Sequence, residues 1–107
     1  MVRYIETDEE WSKLMELSKD KLVVVDFTAI WFPSCPRISP KIDAMAAEMT
    51  DIEFVKVDVD DASDIAFKCC GSVNSLPIFQ FYSGGEKVKA FSGADEEKIR
   101  STIKELS

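Results

Sequence analysis

A chain of 107 residues with 46% hydrophobic and 31% charged side chains is sized for one domain built on a single core, spanning residues 1–107. A net charge of −7 argues against nucleic acid and anionic membranes as partners. No apolar run approaches the ~18 residues of a membrane span, and the complete lack of histidine removes the commonest metal ligand and general base.

The chain opens on a short alternation over Met1 to Glu6, which predicts an edge strand. Thr7-Asp8-Glu9-Glu10 then reads as a capping box with three acids in the first turn, where the helix dipole favours them. The helix it starts extends to about Ser18 and buries Leu14 and Met15, with Trp11 in the core or at its rim.

Leu22 to Phe27 is too short for a helix and too uniformly apolar for a half-exposed strand, so it predicts a central strand covered on both faces. Asp26 interrupts that run. A carboxylate there is expensive unless it is hydrogen-bonded or protonated, which marks Asp26 as a strand-end or a functional residue. After Trp31-Phe32-Pro33-Ser34-Cys35-Pro36, helical spacing of Ile38, Ile42, Met45 and Met49 predicts a second helix, with Pro40 inside it.

Glu53 to Val59 alternates as a strand. The acidic cluster that follows lacks the glycine and the spacing of a calcium loop, so Asp60 or Asp61 is expected to cap a helix over Ala62 to Cys69, with Gly71 ending it. Ile78 to Tyr82 and Lys87 to Ser92 are expected to form a hairpin about Ser83-Gly84-Gly85-Glu86. A last helix begins near Asp95 and buries Ile99, Ile103 and Leu106. The order is βαβαβαββα, with crossover-linked parallel strands first and a hairpin after them.

The stretches VVVDFTA, VDVDD, the Pro77 segment and KVKAFSGA, together with Trp31 and a cysteine ahead of Ile38-x-Pro40, resemble an animal-type cytosolic thioredoxin along essentially the whole chain. The resemblance implies the thioredoxin fold, an α/β architecture with a central mixed five-stranded sheet flanked by four helices. It also exposes a departure. The family carries Trp-Cys-Gly-Pro-Cys where this chain reads Trp31-Phe32-Pro33-Ser34-Cys35, so the attacking cysteine is replaced by Phe32 and only the resolving position remains, as Cys35.

By that resemblance Cys35 is a buried thiol with nothing to resolve. The local prolines allow a different expectation. Pro36 disfavours helical geometry at Cys35 and suits the first helical position, so the helix could begin later than in the family and leave Cys35 as an exposed, acidified N-terminal thiol. Asp26 matches the family's buried carboxylate, which helps move a proton at the resolving cysteine, and burial should raise its pKa. Trp31 and Phe32 offer aromatic anchors for a client. Pro77 matches the family's cis-proline, where Leu76 would present its backbone to an extended peptide. Cys69 and Cys70 are candidate regulatory thiols, expected to be reduced with one buried and one near the surface. A disulfide between neighbours is strained, and three cysteines without CxxC spacing do not make a closed metal site.

The expected function is an atypical thioredoxin-like protein of thiol–disulfide redox homeostasis. It would resemble a protein-disulfide reductase with an incomplete dithiol pair, relying on single-cysteine exchange at Cys35 with weak or no dithiol reductase activity. The alternative is a non-catalytic, thioredoxin-fold module that binds peptides or proteins. No cofactor or metal is expected. The partners implied are client proteins with thiols or disulfides, and glutathione or thioredoxin reductase as reductant. The chain would be a monomer or a thiol-linked dimer. Odd cysteine count and the absence of an apolar signal core in MVRYIETDEE predict a cytoplasmic setting.

Overall fold

The computed structural model describes residues 2–107. Nine elements follow one another: β1 (Arg3–Tyr4), α1 (Asp8–Leu17), β2 (Val23–Thr28), α2 (Ser34–Glu48), β3 (Glu53–Asp58), α3 (Ser63–Cys70), β4 (Ile78–Ser83), β5 (Glu86–Ser92) and α4 (Glu96–Leu106). Of the edge strand expected over Met1 to Glu6, Met1 lies outside the described residues and the strand itself is Arg3–Tyr4. The five strands form one sheet in the order β1-β3-β2-β4-β5. The β1–β3 and β2–β3 pairs are parallel, while β2–β4 and β4–β5 are antiparallel. This is the thioredoxin fold, a mixed five-stranded sheet with four helices.

Strand alternation explains how two cores form on one sheet. Val23, Val25 and Phe27 of β2 join Val55, Val57, Leu14, Ile65 and Ala66 in a cluster that α1 and α3 cover. Val24 points the other way and joins Phe54, Phe79, Phe81, Ile38, Ile42, Met45, Ile99 and Ile103 beneath α2 and α4. A run of consecutive apolar residues is what a strand needs when both of its faces are covered. Asp26 and Lys56 occupy the second face at adjacent register positions.

The helix ends follow local chemistry, with two departures from expectation. Thr7 Oγ1 accepts from the Glu10 N–H at 3.1 Å while Glu10 Oε1 accepts from the Thr7 N–H at 3.2 Å, so the capping box is complete. Asp95 caps α4 by accepting from the Lys98 N–H at 3.1 Å. Neither Asp60 nor Asp61 caps α3, however. Its cap is Ala62, and Asp58 Oδ1 instead accepts from the N–H groups of Asp60 and Asp61 at 2.8 and 3.2 Å. Asp58 already closes this turn from the strand end, which leaves the Asp60 carboxylate free for another partner.

The second departure is the start of α2, which begins at Ser34 with Pro33 as its cap, four residues ahead of Ile38. Pro36 falls in the first turn, where backbone N–H groups have no intrahelical acceptor, so its missing donor costs nothing there. The chain stays helical through Pro40. At the hairpin, Gly84 and Gly85 take φ of +65° and +82°, the left-handed pair that a two-residue turn between twisted strands requires.

Candidate functional site

The C-terminal ends of β2 and β3, the start of α2 and the loop before β4 meet at one edge of the sheet. The β2 chain leaves the sheet at Thr28 and turns over Ala29 to Pro33, with the Phe32 N–H donating to Ala29 O at 3.3 Å and the Cys35 N–H to Phe32 O at 3.0 Å. This turn decides the exposure of each side chain. Ile30 and Trp31 stand out in solvent, 82% and 61% exposed, whereas Cys35 is 2% exposed. The expectation that the prolines delay the helix and present an exposed Cys35 is therefore corrected. The helix starts before the cysteine, and its second residue faces the sheet.

Cys35 lies in the buried cluster with Phe27, Ala29 and Leu76, and Phe32 packs half-buried against the same cluster. Trp31 stands edge-on to Phe32 with ring centroids 6.0 Å apart, and its indole Nε1 donates to Asp60 Oδ2 at 2.6 Å. That bond is the occupation Asp60 finds in place of the expected cap, and it pins the exposed indole against the β3–α3 turn. Leu76 and Pro77 are both buried and are joined by a cis peptide bond. Pro77 O accepts from the Gly93 N–H at 2.9 Å, tying this loop to the end of β5. Trp31, Phe32, Cys35, Leu76 and Pro77 are thus gathered at one end of the fold.

Asp26 sits behind this edge, 1% exposed, with Oδ1 lacking a hydrogen-bond partner among the described residues. Loss of hydration pushes its pKa up to about 7. The Lys56 ammonium pulls against that shift and the Asp43 carboxylate adds to it. Lys56 is itself buried, and its Nζ donates to Ser39 Oγ at 2.6 Å and to Asp43 Oδ1 at 3.4 Å. Sequence reading singled out Asp26 but passed over Lys56, Ser39 and Asp43. A lysine at an inward position of Phe54-Val55-Lys56-Val57 was the available signal, because a buried ammonium requires partners.

Cys69 and Cys70 end α3, and both are half-buried rather than divided between surface and core. Gln80 fixes the helix end: its Nε2 donates to Cys69 O at 2.9 Å and reaches Cys70 Sγ at 3.5 Å, while its Oε1 accepts from the Tyr82 hydroxyl at 2.6 Å. Burial raises the Cys69 pKa and lifts that of Cys70 to about 11. Trp11 covers this network, edge-on to Tyr82 at 5.4 Å. All three cysteines are free thiols. Among the described residues no helix is long and apolar enough to cross a membrane.

The family model described as Thioredoxin matches residues 2–105. Thioredoxin of Oryctolagus cuniculus is 43% identical over 106 residues, with 99% of each chain covered, and thioredoxin of Homo sapiens is 42% identical over the same length and coverage. The X-ray structure of Fasciola hepatica thioredoxin superposes with a TM-score of 0.91 at 39% identity and covers 100% of both chains. Shared sequence along the full length and a shared fold lead to one conclusion: the chain belongs to the thioredoxin family of thiol–disulfide oxidoreductases.

Proposed function

We propose that this protein is an atypical thioredoxin of thiol–disulfide homeostasis in which the dithiol cycle is cut and Cys35 alone carries exchange. The observation behind this reading is Phe32. It occupies the turn position from which a first thiol would attack, and it packs against the cluster holding Cys35. A dithiol cycle needs one thiolate to attack a disulfide and a second to release the product, so one cysteine halts at the mixed disulfide until an external thiol arrives. Asp26 would hold or accept the proton of Cys35, its pKa near neutrality suiting that task. Trp31 and Phe32 would form the apolar contact for protein clients, with the Leu76–Pro77 backbone alongside an extended segment. Glutathione or a thioredoxin reductase would serve as the thiol source, and three free cysteines suit the reducing cytosol. Cys69 and Cys70 would act as accessory thiols, awake only under oxidant or at high pH.

Insulin reduction tests the cycle. Wild type should turn over insulin disulfides poorly, and Phe32→Cys should raise the rate by orders of magnitude. Comparable rates in the two proteins would defeat the reading.

Burial of Cys35 favours a second function, a binding module that holds clients at the Trp31–Phe32 face without chemistry. Cys35→Ser separates the two. Client retention that survives the substitution belongs to binding, whereas retention that vanishes with the thiol belongs to exchange.

A further inference from the structure

Cys35 is only 2% exposed, yet it borders a groove. That groove encloses about 400 Å³ between β1, the β2–α2 turn and the first three turns of α2. Tyr4, Ile30, Pro36 and Pro40 form apolar walls, and Thr28, Ser39 and Asp43 supply its polar lining. The volume lies near the lower end of the ~300–1,000 Å³ typical of small-molecule sites. Cys35, Ser39 and Asp43 recur every four residues along α2 and so share one helix face.

A second feature converges on the same groove. Asp26 lies two residues before Thr28 on β2, so both side chains leave the same face of the sheet. Lys56 stands beside Asp26 in register, and its ammonium reaches the groove-lining Ser39 and Asp43. Beside Lys56 in register is Asp26, a carboxyl group only 1% exposed whose Oδ1 has no hydrogen-bond partner among the described residues. The Cys35 thiol, the Ser39 hydroxyl and the Asp43 carboxylate thus line one groove, and Lys56 ties the last two together from beneath.

We propose that the groove is the route by which small, uncharged or cationic disulfides reach Cys35. The proposal rests on Cys35 being the exchanging thiol, as argued above, and names its substrate class. In the step, Cys35 Sγ attacks one sulfur of R–S–S–R, the Sγ–S bond forms and the S–S bond breaks. The departing sulfur takes up the proton that Cys35 gave, leaving as R–SH. Cys35 is oxidised to a mixed disulfide as one half of the substrate is reduced, and a second R–SH reverses the step, so no further oxidant or reductant is required. Size excludes protein disulfides from this side. Charge selects among small ones: Lys56 is only 6% exposed and already paired, whereas the Asp43 carboxylate is 35% exposed at the rim of a chain carrying −7. An anionic disulfide would meet a rim carboxylate that Lys56 offsets only from its buried side.

The test follows mixed-disulfide formation on Cys35 in the folded protein by intact mass and peptide mapping. The probes are hydroxyethyl disulfide, cystamine and dithiodiglycolate. Tyr4→Ala, at an exposed edge-strand position, removes a wall and should accelerate the reaction with the first two probes. Pro40→Trp, at an exposed helix position, narrows the groove and should slow it by about tenfold, because exchange rates follow access to the thiol. Dithiodiglycolate should react more slowly than either other probe. Adducts that form at wild-type rate in both variants overturn the groove as the route while leaving exchange at Cys35 intact. A faster reaction with dithiodiglycolate overturns the charge selection. If no probe marks Cys35 until the protein is unfolded, exchange at Cys35 itself fails and the inference falls with it.

Discussion

Replacing Asp26 by asparagine should make the protein more stable at alkaline pH and leave it nearly unchanged in acid. Asparagine keeps the shape of the protonated acid but carries no charge to desolvate. Burial lifts the Asp26 pKa from 3.8 to about 7 in the folded chain. Between those two values the folded state binds a proton that the unfolded chain does not, so the stability of wild type falls as pH rises through that window. Above about pH 7 both states are ionised and the penalty is complete. A displacement of about three units corresponds to at most ~4 kcal/mol at 1.36 kcal/mol per unit. Asp26 is 1% exposed, so solvent screening does not reduce this figure appreciably, but the Lys56 ammonium does, because neutralising Asp26 leaves Lys56 with Asp43 as its remaining counter-charge. Urea unfolding of both proteins between pH 4 and pH 9 reads the difference. The gap should be near zero at the acid end, open between pH 4 and 7, and stay flat above. A constant gap across the range would refute the claim that the folded state holds Asp26 protonated near neutrality.

Three further outcomes test other parts of the argument. Thr7→Ala removes the oxygen that caps α1 and should cost about 1 kcal/mol, seen as a lower urea midpoint with an unchanged slope; no shift would mean the capping box contributes nothing net. Gly84→Ala should cost about 1–2 kcal/mol through backbone strain at φ +65° alone, since nothing lies within 4 Å of the added Cβ; a neutral result would place the turn in another conformation in solution. At neutral pH, iodoacetamide should modify Cys70 roughly a hundredfold more slowly than an unperturbed thiol, because a pKa near 11 rather than 9.0 leaves a hundredfold less thiolate, and the rate should climb steadily up to about pH 11. A rate plateau reached by pH 9 would contradict the burial assigned to this thiol.

The order of elements needed nothing beyond the sequence, because local chemistry decides it. The consecutive Leu22–Phe27 run requires cover on two faces, Thr7 and Glu10 can cap only the helix that follows them, and Gly84-Gly85 supplies the one turn that closes the last hairpin. The resemblance to thioredoxins was equally legible, since it is a matter of residue identity. What the sequence could not determine was which groups share space. The prolines beside Cys35 pointed to a late helix start, but a first-turn proline is free of donor obligations, and packing of Cys35 with Phe27, Ala29 and Leu76 settles where the helix begins. Asp60 looked like a cap until Asp58 closed the turn and the Trp31 indole took its carboxylate. Lys56, thirty residues from Asp26, becomes its neighbour only when β2 and β3 pair, and Ser39 and Asp43 join it only when α2 lies across that sheet. Strand register and helix packing are long-range properties, and the grouping of Asp26, Lys56, Ser39 and Asp43 exists through them alone.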